Sequence, residues 1–354
     1  AGDGYTSHSD LSELEMQKRS LPLGLLSAGT RLSGVLLCLA VALSAGLRAE
    51  ELATPVVLHP EGRVEQGGGR LLGAVEVRKG AEVNGVGVMG LSGLAWDADE
   101  AILYALSDRG RLFHLRPRFA GGRLVGLEAL AGHHLKDGDG RVLPRYRVDS
   151  EGLVVENAAN GVPGDTLVVV SFEGQPRIDV MDPRAVWVAR YPLPEPLGDA
   201  DAYRHPNKAL EALAHLPGRG PVTAPERPLW DEAAEVVPLY DLKGRHWRYP
   251  LSGDTNGSLV ALEALPGGGL LALERSFVSP LHPLRIRLRR VPALGQGGGP
   301  LAVEEVALLS TGEGWRVDNF EGLTHHRGRR FFMVSDDNGR AAQRTLLVYF
   351  ELLP

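Results

Sequence analysis

The sequence predicts an all-β fold, and within that class a β-propeller of six blades, with five or seven as the alternatives. Three observations predict it. Short runs of Val, Leu, Ile, Tyr and Phe bounded by Gly, Pro, Asp and Asn recur along the chain, as in "TLVVVSFEG", "GLLALERSF", "RFFMVSDDNG" and "TLLVYFELL". Runs of this length and composition fit strands, and long amphipathic helical patterns are scarce. The 45 glycines and 24 prolines supply frequent turns between them. Finally, one unit repeats: a small or acidic residue, a Gly or Ala, a Leu, then a turn and an apolar strand that ends in acid. Copies begin at Ser92, Glu151, Glu211, Glu263 and Glu321, at intervals of about 50 to 60 residues, which suits one four-stranded blade. The segment from Thr54 to Val88 is expected to join the C-terminal strand "TLLVYFELL" in a sixth, degenerate blade that closes the ring and removes exposed edges.

The chain divides into an N-terminal extension with a signal peptide, residues 1–49, and a propeller domain, residues 50–354. Residues 35–43 form an uninterrupted apolar run around Cys38, preceded by Lys18, Arg19 and Arg31 and followed by small residues. That order describes a secretory signal peptide. The run is too short for a membrane span, which takes about 20 residues. A start at Met16 would give an ordinary signal peptide with cleavage near Gly46 or Ala49, and leaves residues 1–15 upstream. Leu37 before the cysteine does not suit a lipoprotein. The mature protein is expected to be periplasmic or secreted, monomeric, off the membrane and without disulfides, because Cys38 is the one cysteine.

With 44% apolar and 23% charged residues, the chain can bury a large core. A net charge of −6 with no basic stripe excludes nucleic acid as a partner. The segment from Ala212 to Tyr249, with Trp230 and Trp247, reads as an elaborated loop plus outer strands that could rim a site, its tryptophans as packing residues.

If the repeated hairpins are the inner strands of each blade, their acids converge near the axis. One set opens the first strand: Glu151, Glu211, Glu263 and Glu321, with Ser92 breaking the series. The other closes the second: Asp108, Glu173, Glu226, Glu274, and Asp336 with Asp337. Strand register decides whether the sets share a face. In the second set Arg109, Arg227 and Arg275 follow their acids directly, and arginine can clamp a phosphate or carboxylate bidentately. A structural role competes, since a Glu that opens an inner strand can accept backbone amides from the next blade and fix its register.

The C-terminal stretch "DNFEGLTHHRGRRFFMVSDDNGRAAQRTLLVYFEL", with "LLALERSF" and the basic strand "RIRLRRV", resembles the bacterial phytase-like family, also called "esterase-like activity of phytase". The likeness runs from "GLSGLAWD" onward. It implies a propeller, and by analogy with β-propeller phytases a calcium-assisted site for phosphate esters. The family's acidic positions fall on Glu151, Glu211, Glu263, Glu274, Glu321, Asp336 and Asp337.

Carboxylates crowded near an axis must be neutralised by protons, arginines or a cation, and calcium takes six to eight hard oxygen ligands in flexible geometry. On this hypothesis Glu151, Glu211, Glu321, Asp336, Asp337 and Asn338 are the metal ligands, with "SDDN" as the densest cluster. Arg275 and Arg344 are anion clamps, and Glu263 or Glu274 is the base. The expected partner is a small anionic substrate or ligand. The alternative is a propeller that binds a ligand or protein without turning it over. The pairs His133–His134 and His325–His326 do not make one metal site, because adjacent residues on a strand face opposite ways. No glycine-rich phosphate loop, Gly-x-Ser-x-Gly elbow or His-Glu-x-x-His helix is present.

Overall fold

Runs such as Leu167–Phe172, apolar on both faces, form strands that are covered on both sides, and the fold supplies that cover by standing sheets side by side around an axis. The computed structural model describes residues 51–205 and 208–354. The apolar run, Cys38 and the expected cleavage sites lie outside the described residues.

Four sheets use consecutive strands, each antiparallel to the last. Blade 1 comprises Leu91–Asp97, Ile102–Ser107, Arg111–Ala120 and Arg123–His134. Blade 2 comprises Ser150–Glu156, Leu167–Phe172, Arg177–Met181 and Trp187–Tyr191. Blade 3 comprises Leu210–Leu216, Gly220–Pro225, Val236–Asp241 and His246–Pro250. Blade 4 comprises Gly257–Ala264, Leu270–Ser276, Arg285–Val291 and Glu304–Ser310. In blade 5, Asn319–Arg327, Arg330–Asp336 and Leu346–Leu352 are completed by Gly69–Val77 from the other end of the chain.

The propeller therefore has five blades, the smaller alternative, and not six. The segment from Thr54 to Val88 contributes one long strand, which takes its partners from the C-terminal hairpin instead of founding a sheet. The closure expected from the two chain ends does occur, with Val348 opposite Ala74, but inside the blade that carries "DNFEGL". First strands of successive blades touch in a closed cycle, blade 5 meeting blade 1. Five apolar cores fill the five gaps between neighbouring blades. Among the described residues no helix is long and apolar enough to cross a membrane.

At the axis the repeated leucines Leu94, Leu153, Leu213, Leu262 and Leu323 close the waist of the channel, all buried. The small residue before each leucine lets the blades approach. A Cβ on Gly152 would stand 2.6 Å from Leu213 Cβ and 2.9 Å from the Glu211 carbonyl oxygen of blade 3. Gly152→Ala is expected to destabilise the protein by about 1–3 kcal/mol through overpacking, read as a lower urea midpoint; an unchanged midpoint would contradict this account of the motif.

Candidate functional site

Antiparallel pairing decides the question that the sequence leaves open. Asn319 pairs with Asp336, Ser258 with Arg275, and the Glu173 and Glu226 amides donate to the Asp149 and Ala209 carbonyls. The start of each first strand thus lies beside the end of the second, and outside blade 4 the two acidic sets open on the same mouth. Each first strand bulges there, at Ser92, Glu151, Glu211, Val260 and Glu321. A bulge re-aims its extra residue, and in blades 2, 3 and 5 that residue is the acid.

Blade 4 departs from the others. Val260 occupies the bulge where its neighbours carry Glu, and Arg275 occupies the strand end where they carry Asp or Glu. The ring is thereby broken by one apolar residue and one cation.

The resulting throat, about 170 Å³, is lined by Asp108, Glu151, Glu173, Glu211, Glu321 and Asp336, with Lys208, Arg275 and Asn338. It adjoins a bowl of about 1120 Å³ that shares Lys208, Arg275 and Asn338 and adds Arg204, Arg227, Arg340 and Phe277. Arg275 donates to Glu321 Oε1 at 2.6 Å and to Glu226 Oε1 at 3.1 Å. Asn319 donates to the same Glu321 oxygen at 2.9 Å, and Lys208 pairs with Glu226 Oε2. The blade 3–5 side is therefore largely neutralised. Carboxylate oxygens of Asp149, Glu151 and Glu173 of blade 2 lie within 4.8 Å of one another, as do those of Glu173, Glu211 and Glu226 across blades 2 and 3. Glu173 belongs to both groups, and its Oε1 is buried without a hydrogen-bond partner.

Proton affinities follow this asymmetry. Burial, then repulsion from Glu211, pushes Glu151 well above the ordinary carboxyl range; burial and Glu226 do the same to Glu211. Glu173 is pushed to about 8 by burial and Glu226, and Asp336 to about 8 by burial and Glu321. Burial also raises Asp108 and Asp149. Glu226 goes the other way: burial would raise it, but Arg275 and Lys208 outweigh that and hold it low.

A carboxyl whose folded value is raised stays protonated in the folded chain after the unfolded chain has ionised. Its contribution to stability is full below the unfolded value and is lost as pH rises through the folded one. Cation-free protein is expected to lose thermal stability between the ordinary values of 3.8 for Asp336 and 4.5 for Glu173 and their folded values of about 8. Melting curves at a series of pH values in chelator check this, and a midpoint that climbs from pH 5 to 8 would contradict it.

Of the residues expected from sequence, Glu151, Glu211, Glu321, Asp336, Asn338 and Arg275 meet in the throat. Asp337 turns away: its Oδ1 accepts the Gly90 and Gly339 amides and Oδ2 lies 3.7 Å from Lys79, tying blade 5 to blade 1. Glu274 is buried between blades 3 and 4, accepting from Tyr249 Oη and Arg289, both at 2.7 Å. Arg344 donates to the Arg316 carbonyl and flanks Asp318 and Glu76. Glu263 lies at the far end of its strand, in a cavity of about 510 Å³ at the opposite mouth, with Trp96, His215, His325 and His326. There burial pushes Glu263 to about 7 and His326 down to about 4. His325 packs on Phe331 while His326 bonds to Tyr349 Oη, so the pair turns to different neighbours. Ser92, in place of an acid, donates to the Ser150 carbonyl across blades at 2.8 Å. Trp247 is buried as a packing residue, whereas Trp230 is 61% exposed on the rim.

Asp149 and Lys208 were not distinguished by the repeat. A signal for Asp149 exists, since it stands two residues before Glu151 as Asn319 stands before Glu321. For blade 4 the interval is diagnostic: Val260 to Arg275 matches Glu211 to Glu226 and Glu321 to Asp336, whereas Glu263 to Glu274 is shorter.

The chain is similar to the PQQ-bound form of aldose sugar dehydrogenase from Streptomyces coelicolor, at 12% identity and a TM-score of 0.38, over 82% of this chain and 99% of that one. It is similar also to the β-propeller domain of Cps50 (Swd1) from Myceliophteria thermophila, at 13% identity and a TM-score of 0.39, over 85% of this chain and 99% of that one. At these scores neither carries an argument, and the fold rests on the strand pairing. No curated protein matches the chain. Residues 86–339 match the phytase-like family, described as "esterase-like activity of phytase", and the chain belongs to that family.

Proposed function

We propose that the protein is an exported, metal-assisted hydrolase of phosphate esters or related anionic esters, with calcium as its ion. The observation that carries the reading is the carboxylate cluster of Glu151, Glu173 and Glu211 in the throat, with Asp149 beside it, opening into a cation-rimmed bowl. The donors fit the ion. All are hard oxygens with no His or Cys among them, Glu173 Oε1 lacks a donor, and calcium accepts many carboxylates in flexible geometry.

When bound, such an ion supplies charge neutralisation and polarisation of a phosphoryl oxygen. Lys208, Arg275 and Asn338, at the junction of bowl and throat, orient the anionic group over the carboxylates. Hydrolysis forms one P–O bond from water, which gives up a proton, and breaks the P–O bond to the alcohol, whose oxygen takes one. In this reading Asp336, which lines the throat and is pushed up to about 8 by burial and Glu321, gives that proton and takes back the one that water releases. The partner in this reading is a small anionic ester and the working unit is a monomer. Export is supported by the N-terminal pattern of basic, apolar and small residues.

A second reading, a propeller that binds its ligand without turnover, is favoured by the pairing of Glu226 and Glu321 with Arg275, which serves blade contact as well as chemistry. The test is hydrolysis of p-nitrophenyl phosphate by chelator-stripped protein with calcium added back. Calcium-dependent release of p-nitrophenol is expected. Folded, calcium-bound protein with no turnover of phosphate or carboxylate esters would move the assignment to the second reading.

A further inference from the structure

We propose that the ester is amphiphilic, with its phosphate at the throat and an apolar alcohol portion lying on the lip formed by the loop from Phe277 to Leu284; this rests on the hydrolase reading above. That loop exposes Phe277 by 44%, Val278 by 43% and Leu281 by 94%. Phe277 lines the bowl, and Val278 and Leu281 extend its exposed apolar surface along the same loop, a patch of the kind that marks binding.

The patch is continuous with the cavity, because Phe277, Pro280 and Leu284 line the bowl together with Arg227 and Arg340. Neither arginine forms an ion pair with a carboxylate among the described residues. Arg227 donates instead to the carbonyl and side-chain oxygens of Asn256, at 3.1 and 2.6 Å. Asn256 in turn donates to the Phe277 carbonyl at 2.5 Å. One asparagine therefore fixes a cation for an anionic group next to the apolar lip. A compact polyanion would use the cations and leave the lip in water, whereas an amphiphile covers both.

The experiment measures KM for ethyl, butyl, hexyl and octyl phosphate below micelle-forming concentrations, on the full calcium-loaded chain. In the native protein KM is expected to fall by about two- to threefold per added methylene, somewhat less than full burial of each would give. In Phe277→Ser and Leu281→Ser, both exposed positions, the ratio of ethyl to octyl KM should collapse toward one. A flat series in the native chain, or a chain-length dependence that survives both substitutions, overturns the proposal. The same series read as calorimetric Kd keeps the two readings apart: chain-length-dependent binding without turnover upholds the amphiphilic site and sinks the hydrolase, and length-independent binding with turnover does the reverse. Phosphatidate presented in phosphatidylcholine vesicles separates the sources. Its capture places the ester in a bilayer, and capture of octyl phosphate alone makes it a soluble amphiphile, either outcome supporting the lip.

Discussion

Replacing Arg275 by methionine is expected to destabilise the protein by about 3–5 kcal/mol at neutral pH, the usual consequence of leaving buried carboxylates without their cation. Arg275 stands where every other blade has an acid, and among the described residues it alone bridges Glu226 in blade 3 and Glu321 in blade 5. Glu226 is held below its ordinary value by Arg275 and Lys208 against burial, so its pairing contributes stability above the unfolded carboxyl value and loses it as pH falls. The gap between native and variant chains should therefore narrow in acid. Adding Glu321→Gln to the variant should restore part of the loss. Urea unfolding at pH 3.5 and pH 7.5 measures both, and equal stability of variant and native chains at pH 7.5 would contradict the bridge.

Glu173→Gln should weaken calcium binding by about 10- to 100-fold, since it removes one unit charge from beside a divalent ion. It should also raise the melting temperature of cation-free protein at pH 8, because that carboxyl, pushed to about 8 by burial and Glu226, opposes folding once it ionises. The opposite signs matter. A substitution that merely damaged the fold would lower both quantities, and one at a position unconnected with the metal would leave calcium affinity unchanged.

The propeller was legible because a waist leucine and a small residue before it recur once per blade, with an acid before that in blades 2, 3 and 5, each for a separate physical reason. Leu213 fills the axis, Gly152 admits the neighbouring blade, and Glu211 follows the bulge. Blade count was not legible, because the strand Gly69–Val77 reads equally as the start of a new sheet or the outer strand of the last. The site was legible where the repeat was regular, at Glu151, Glu211, Glu321 and Asp336. It failed in blade 4, where "SLVALEAL" offers two overlapping matches and the acid-bearing one, at Glu263, lies a turn too late. Leu262 at the waist forces the other register, which sends Glu263 to the opposite mouth and Glu274 into the blade interface. Asp337 was misplaced because Asp336, the last residue of its strand, takes the inward position, and Arg344 because it lies in the loop before Leu346–Leu352, turned to Asp318, Glu76 and the Arg316 carbonyl.

The central claim is that one side of the throat holds carboxyls kept protonated by burial and mutual repulsion until a divalent cation replaces the protons. Calorimetric titration of calcium into chelator-stripped protein at pH 7, repeated in buffers of different ionisation enthalpy, counts those protons directly. The account predicts micromolar binding with about one or more protons released per ion, and an affinity that rises from pH 6 to pH 8. Fully folded protein that takes up no calcium, or takes it up without proton release at any pH in that range, would contradict it.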